Sequence, residues 1–198
     1  MPITDSQLAR REFMAGMALL MAVAPEAARA AVKRAGSIRP APYQALMREV
    51  AQLVLPRTGT PGAGEVGVGA FVLLALDHGL EDTHRPAPKE WTEHVRPDGR
   101  LDYAAWLASA LGAGFLAQPP AKRQAALSAL DARAFAPDAG WHPWLAIKRL
   151  ILLGYYTSET GGSKELRYEH VPGRWDPDLP LKPTDRAFSS DWTAMDFG

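Results

Sequence analysis

Gly62, Gly64 and Gly67 fall at the G-x-G-x-x-G spacing, in which backbone N–H groups of a tight loop cradle a pyrophosphate. Glu81 and Asp82 follow about 20 residues after Gly62, where an acid can hold a ribose hydroxyl. That chemistry requires a strand before the loop and a βαβ unit around it. Residues 42–55 have helical spacing instead, Pro56 and Pro61 interrupt the approach, and no second strand follows. The glycines read as tight turns and close backbone contacts.

The other reactive side chains are sparse. The five histidines, His78, His84, His94, His142 and His170, form no H-x-x-x-H pair. Asp77-His78 and Glu81-Asp82-Thr83-His84 gather carboxylates and imidazoles in a loop spanning 77–94. A stand-alone periplasmic enzyme or binding protein would use that loop, although its spacing does not describe a metal site. No G-x-S-x-G elbow is present, and Ser158 and Ser163 beside glycines do not replace one. The absence of cysteine excludes disulfides, thiolate nucleophiles, Cys-ligated zinc and haem attachment through Cys-x-x-Cys-His. No residue is therefore assigned a catalytic, cofactor-binding or metal-binding role.

Residues 154–175 point to a partner. Tyr155, Tyr156, Tyr168 and Trp175 lie there among glycines and the charges Glu159, Lys164, Glu165, Arg167 and Arg174, without periodicity. Aromatic and Arg side chains on irregular backbone offer large contact areas with polar ends, as protein interfaces do. Tyr155, Tyr156, Glu159, Tyr168, Arg174 and Trp175 are the candidate interface residues. Tyr155 and Tyr156 also fit a local core, and the sequence leaves both readings open.

The elements that must position these residues are helical. Residues 42–55 put Tyr43, Leu46, Met47, Val50, Leu53 and Val54 on one face before Pro56 stops the run. Residues 69–80, nearly all apolar, form a buried helix. Asp102 caps a helix carrying Trp106, Leu107 and Leu111. Pro119 and Pro120 open another, with Ala126, Leu127 and Leu130 inward. Pro143 starts a helix over 143–154 whose stripe is Trp144, Ile147, Leu150 and Ile151. No segment alternates with period two. The expected fold is mainly α: an irregular helical domain with long loops and an extended C-terminal arm that wraps a partner. Pro177, Pro180 and Pro183 keep residues 176–198 from forming a long helix. The segment is disordered or laid out in extended form, with Phe188, Trp192 and Phe197 as anchors.

The N-terminus reads as a targeting segment. Arg10 and Arg11 precede Phe13, an apolar run reaches Ala24, and Ala28-Arg29-Ala30 supplies a small-x-small cleavage site. The paired arginines followed by Phe13 resemble a twin-arginine export signal. The apolar run falls well short of the ~20 residues that span a bilayer. The expected organisation is a signal peptide over 1–30, a linker over 31–41, a helical domain over 42–175 and a tail over 176–198. Lys plus Arg equals Asp plus Glu, 22 each, so the chain offers no general attraction to nucleic acid or anionic lipid.

Three motifs carry a family resemblance. They are Leu55-Pro56-Arg57-Thr58-Gly59-Thr60-Pro61-Gly62-Ala63 with Gly67-Val68, Ile147-Lys148-Arg149-Leu150 leading into Gly154-Tyr155-Tyr156-Thr157-Ser158-Glu159, and Glu165-Leu166-Arg167-Tyr168 with Val171-Pro172-Gly173-Arg174. Over residues 40–175 the chain resembles the gluconate 2-dehydrogenase subunit 3 family, with Gly59 where that family usually has Asp. The resemblance implies a non-catalytic small subunit that binds no cofactor itself. It implies a flavoprotein dehydrogenase partner carrying FAD and usually a cytochrome c subunit carrying haem. It also implies twin-arginine export to the periplasm, inner-membrane association only through the complex, and oxidation of a sugar, sugar acid, polyol or glycoside.

Overall fold

The computed structural model describes residues 39–88, 91, 93–168, 178, 180 and 182–189 of the 198. The expected signal peptide, the linker up to residue 38, the arm at 169–177 and the end of the tail lie outside the described residues. Within them the fold is mainly helical, as the sequence predicts.

Helix α1 (Ala41–Val54) begins at Pro40 and Pro42, where a fixed φ favours a helix and a missing N–H is harmless. It turns Leu46, Met47, Val50 and Ala51 into the core. Helix α2 (Val68–Asp77) starts at Gly67, whose φ of 89° suits a residue without a side chain. Helix α3 (Tyr103–Leu111) is capped by Asp102, whose carboxylate accepts from the Ala105 N–H at 3.2 Å. Helix α4 (Pro120–Ala134) and helix α5 (Pro143–Tyr156) each open on proline. Helix α2 packs between α1 and α5, and α3 and α4 close the other side. Trp144, Ile147, Leu150 and Ile151 form the predicted α5 stripe and are all at most 1% exposed. Each such side chain contributes about 1.5–3 kcal/mol by leaving water.

Helix α5 departs from expectation at its C-terminal end. It continues through Gly154 to Tyr156, so two residues assigned to irregular backbone complete a helical turn. Glycine costs about 1 kcal/mol in a helix relative to alanine, and local pattern therefore suggests a stop. Tertiary packing overrides it: a Cβ on Gly154 would lie 2.5 Å from Cδ1 of Phe71 on α2. The missing side chain lets the two helices approach. Beyond α5, Gly161–Glu165 forms a single π-helical turn. Two-residue strands β1 (Arg167–Tyr168) and β2 (Phe188–Ser189) then pair in parallel, Arg167 opposite Phe188. The Arg167 guanidinium stands 5.0 Å from the Phe188 ring centroid.

Candidate functional site

The first and last motifs meet in space. The Tyr155 hydroxyl, at the end of α5, donates to the Pro61 carbonyl at 3.0 Å and lies 3.2 Å from the Thr60 hydroxyl. Thr60, 7% exposed, donates in turn to the Glu165 carboxylate of the π-turn. Residues about a hundred positions apart are thereby joined through one hydroxyl. Gly161 completes the joint, since any Cβ there would fall 2.0 Å from the Tyr155 carbonyl oxygen.

The glycine loop is built inward too. The Gly62 N–H donates to Glu65 at 2.7 Å, and the Gly64 N–H donates to the Gln52 side chain at 3.0 Å. Arg57 reaches Glu65 at 2.6 Å. Its guanidinium and then the Gly62 N–H hold the Glu65 carboxyl below the ordinary range. A Cβ on Gly62 or Gly64 would strike Gln52 at 2.5 and 2.8 Å, so these glycines permit α1 and the loop to touch. A helix precedes the loop, and two of its N–H groups already have acceptors. These residues do not fit a dinucleotide.

The interface candidates separate. Tyr155 is 3% exposed and belongs to the core. Its neighbour Tyr156 is 38% exposed, with the two rings edge to face at 5.4 Å. Partial burial, then the Glu165 charge, raise the Tyr156 hydroxyl above its ordinary pKa. Glu159 is exposed just past α5. Tyr168 is in β1. Arg174 and Trp175, like Arg10, Arg11 and Phe13, lie outside the described residues. Leu153, 40% exposed, stands one turn before Tyr156 on the same face of α5. The turn at Leu80–Asp82 packs against this helix, with Arg149 3.7 Å from Glu81 and Leu80 39% exposed. Leu80, Leu153 and Tyr156 thus leave considerable apolar surface in water.

The described side chains of the loop at 77–94 tie neighbouring elements together. Asp77 accepts from Arg39 at 2.5 Å and lies 3.5 Å from Arg96. Asp102 accepts from Arg39 at 2.9 Å and lies 3.4 Å from Arg96. The four side chains alternate in sign and join the approach to α1, the end of α2 and the start of α3. The His84 ring bonds the Asp77 carbonyl at 2.9 Å, and the His94 carbonyl accepts from the Asp102 N–H at 2.8 Å. Among the described residues no three His, Asp or Glu side chains converge as a metal cage. Arg39 reads as linker in the sequence, since its partners are 38 and 63 residues away. The local signal for it is an arginine immediately before a proline-opened helix.

The family model described as gluconate 2-dehydrogenase subunit 3 matches residues 41–173, a span containing all five described α-helices and the joint between the motifs. No curated protein and no solved structure matches the chain.

Proposed function

The chain belongs to the gluconate 2-dehydrogenase subunit 3 family, and on that premise we propose that it is the non-catalytic small subunit of a periplasmic FAD-dependent dehydrogenase complex. The complex oxidises a sugar, sugar acid, polyol or glycoside. The chain helps fold the flavoprotein subunit, carries it through the twin-arginine route and stabilises it. FAD resides in that partner, haem c resides in a cytochrome subunit, and contact with the inner membrane runs through the complex. The observation that carries this reading is the inward use of the motif residues. Thr60, Tyr155, Gly161 and Glu165 tie the glycine loop to the end of α5, while Leu80, Leu153 and Tyr156 stand partly exposed on and beside that helix. Such a molecule is built to be rigid and to be covered.

Replacing Arg10 and Arg11 by Lys tests it. Dehydrogenase activity and flavoprotein antigen should both shift from periplasm to cytoplasm. Unchanged periplasmic activity would refute the export role. The same preparation tests the division of labour: flavin absorbance should follow the large partner, and the chain purified alone should carry none.

A further inference from the structure

We propose that His142 is an acid-sensitive latch on the first turn of α5. His142 is the N-cap of that helix, and its Nδ1 accepts from the Trp144 backbone N–H at 3.2 Å. An imidazole accepts only through an unprotonated nitrogen, so protonation would set one donor against another. The ring has little room to turn away. It meets Trp91 edge to face at 5.6 Å and Trp106 at 5.4 Å, and Trp91 also contacts Trp106 at 5.9 Å and Trp141 at 5.8 Å. Loss of the cap is therefore felt by three tryptophans, of which Trp141 is 44% exposed and Trp106 6%.

The surroundings oppose a cation. Burial and then the Arg133 charge on α4 lower the imidazole pKa. The positive end of α5 acts in the same sense. Helix α4 also carries Lys122 and Arg123 in its first turn, Arg123 being paired with Glu49 at 3.0 Å, and Asp131, which already accepts from the Trp144 indole at 2.6 Å and from Lys148 of α5 at 2.7 Å. Helix α3 brings no charged side chain, and Tyr103, its titratable group, is pushed up by burial. The segment carrying Trp91 brings Glu93, His94 and Arg96, with Arg96 engaged by Asp77 and Asp102. The α4–α5 connection brings Asp138.

The sign of the pH dependence follows. The fold prefers the neutral ring, whereas the unfolded chain takes up its proton near pH 6.5. Stability is fully present above about 6.5 and falls as pH drops through that value. It stops falling below the lower pKa of the folded state. Acid thus loosens the corner between α4 and α5, while the far end of α5 stays joined to Pro61.

The test uses the full chain between pH 8 and pH 5. Histidine NMR titration should place the His142 midpoint below 6.5, with tryptophan emission changing at that same midpoint and Tm falling toward pH 5. In His142→Asn, whose amide oxygen can cap without titrating, the emission change should vanish and the Tm profile should flatten. Arg133→Gln should raise the His142 midpoint. A midpoint at or above 6.5, or superimposable wild-type and His142→Asn profiles, would overturn the latch. If His142→Asn does not fold, the wild-type and Arg133→Gln titrations decide alone: no upward shift in Arg133→Gln refutes it.

Discussion

A methyl group on Gly161 would sit 2.0 Å from the Tyr155 carbonyl oxygen, a separation that no relaxation of side chains absorbs. What excludes a side chain at Gly161 is space: its φ is outside the left-handed region, unlike that of Gly67. The partner in that contact, Tyr155, contributes in two ways, by burial of its ring and by donation to Pro61. Tyr155→Phe keeps the ring and removes the donor. It should cost about 1 kcal/mol, the net worth of one intramolecular hydrogen bond. In a chain of this length that lowers Tm by about 2–4 °C in a thermal melt. An unchanged Tm would mean that water replaces the lost bond. The place of Tyr155 in a family motif is legible in the sequence, but its orientation is not. Tyr-Tyr on a helix end gives one inward and one outward ring, and which is which depends on where Thr60 and Pro61 arrive.

Helix α5 shows where local pattern stops being sufficient. Its start is legible, because Pro143 and the Trp144, Ile147, Leu150, Ile151 stripe are local signals. The cap at Asp102 is legible for the same reason. The end of α5 is hidden, because Gly154 belongs to a contact with α2 rather than to a helix stop. This predicts an inverted substitution effect. Gly→Ala in a helix ordinarily stabilises by about 0.5–1 kcal/mol. Here the new Cβ meets Phe71 at 2.5 Å, and overpacking costs about 1–3 kcal/mol. Gly154→Ala should therefore destabilise, and Phe71→Leu in the same chain should recover part of the loss. A double-mutant cycle in denaturant measures the coupling. Additive effects would separate the two helices energetically. Histidine at the start of α5 was equally hard to read as a cap, since neither metal spacing nor a catalytic motif marks it. Its place immediately before Pro143 is the only clue.

At the scale of the whole molecule, the proposed small-subunit role would divide rigidity and adhesion between different residues. The joint at Thr60, Tyr155 and Glu165 holds the loop to α5, and Leu80, Leu153 and Tyr156 remain partly in water. Truncating Leu153 and Tyr156 together to Ser should leave the melting temperature of the isolated chain nearly unchanged. It should weaken capture of the proposed flavoprotein partner in co-purification by roughly a hundredfold or more, since interface anchors are typically worth ~2 kcal/mol each. Full recovery of the complex would move the contact surface elsewhere. Arg39 belongs to this scale too, because it bonds Asp77 and Asp102 from 38 and 63 residues away. A ribosome supplies the chain in order, N-terminus first, at ~5–20 residues per second. Arg39 is therefore added to the chain roughly 3–13 seconds before Asp102 is. During that interval the base of the N-terminal segment has no complete anchor. A chain arrested between Asp77 and Asp102 has one carboxylate for that guanidinium where the finished protein has a closed ring of charge.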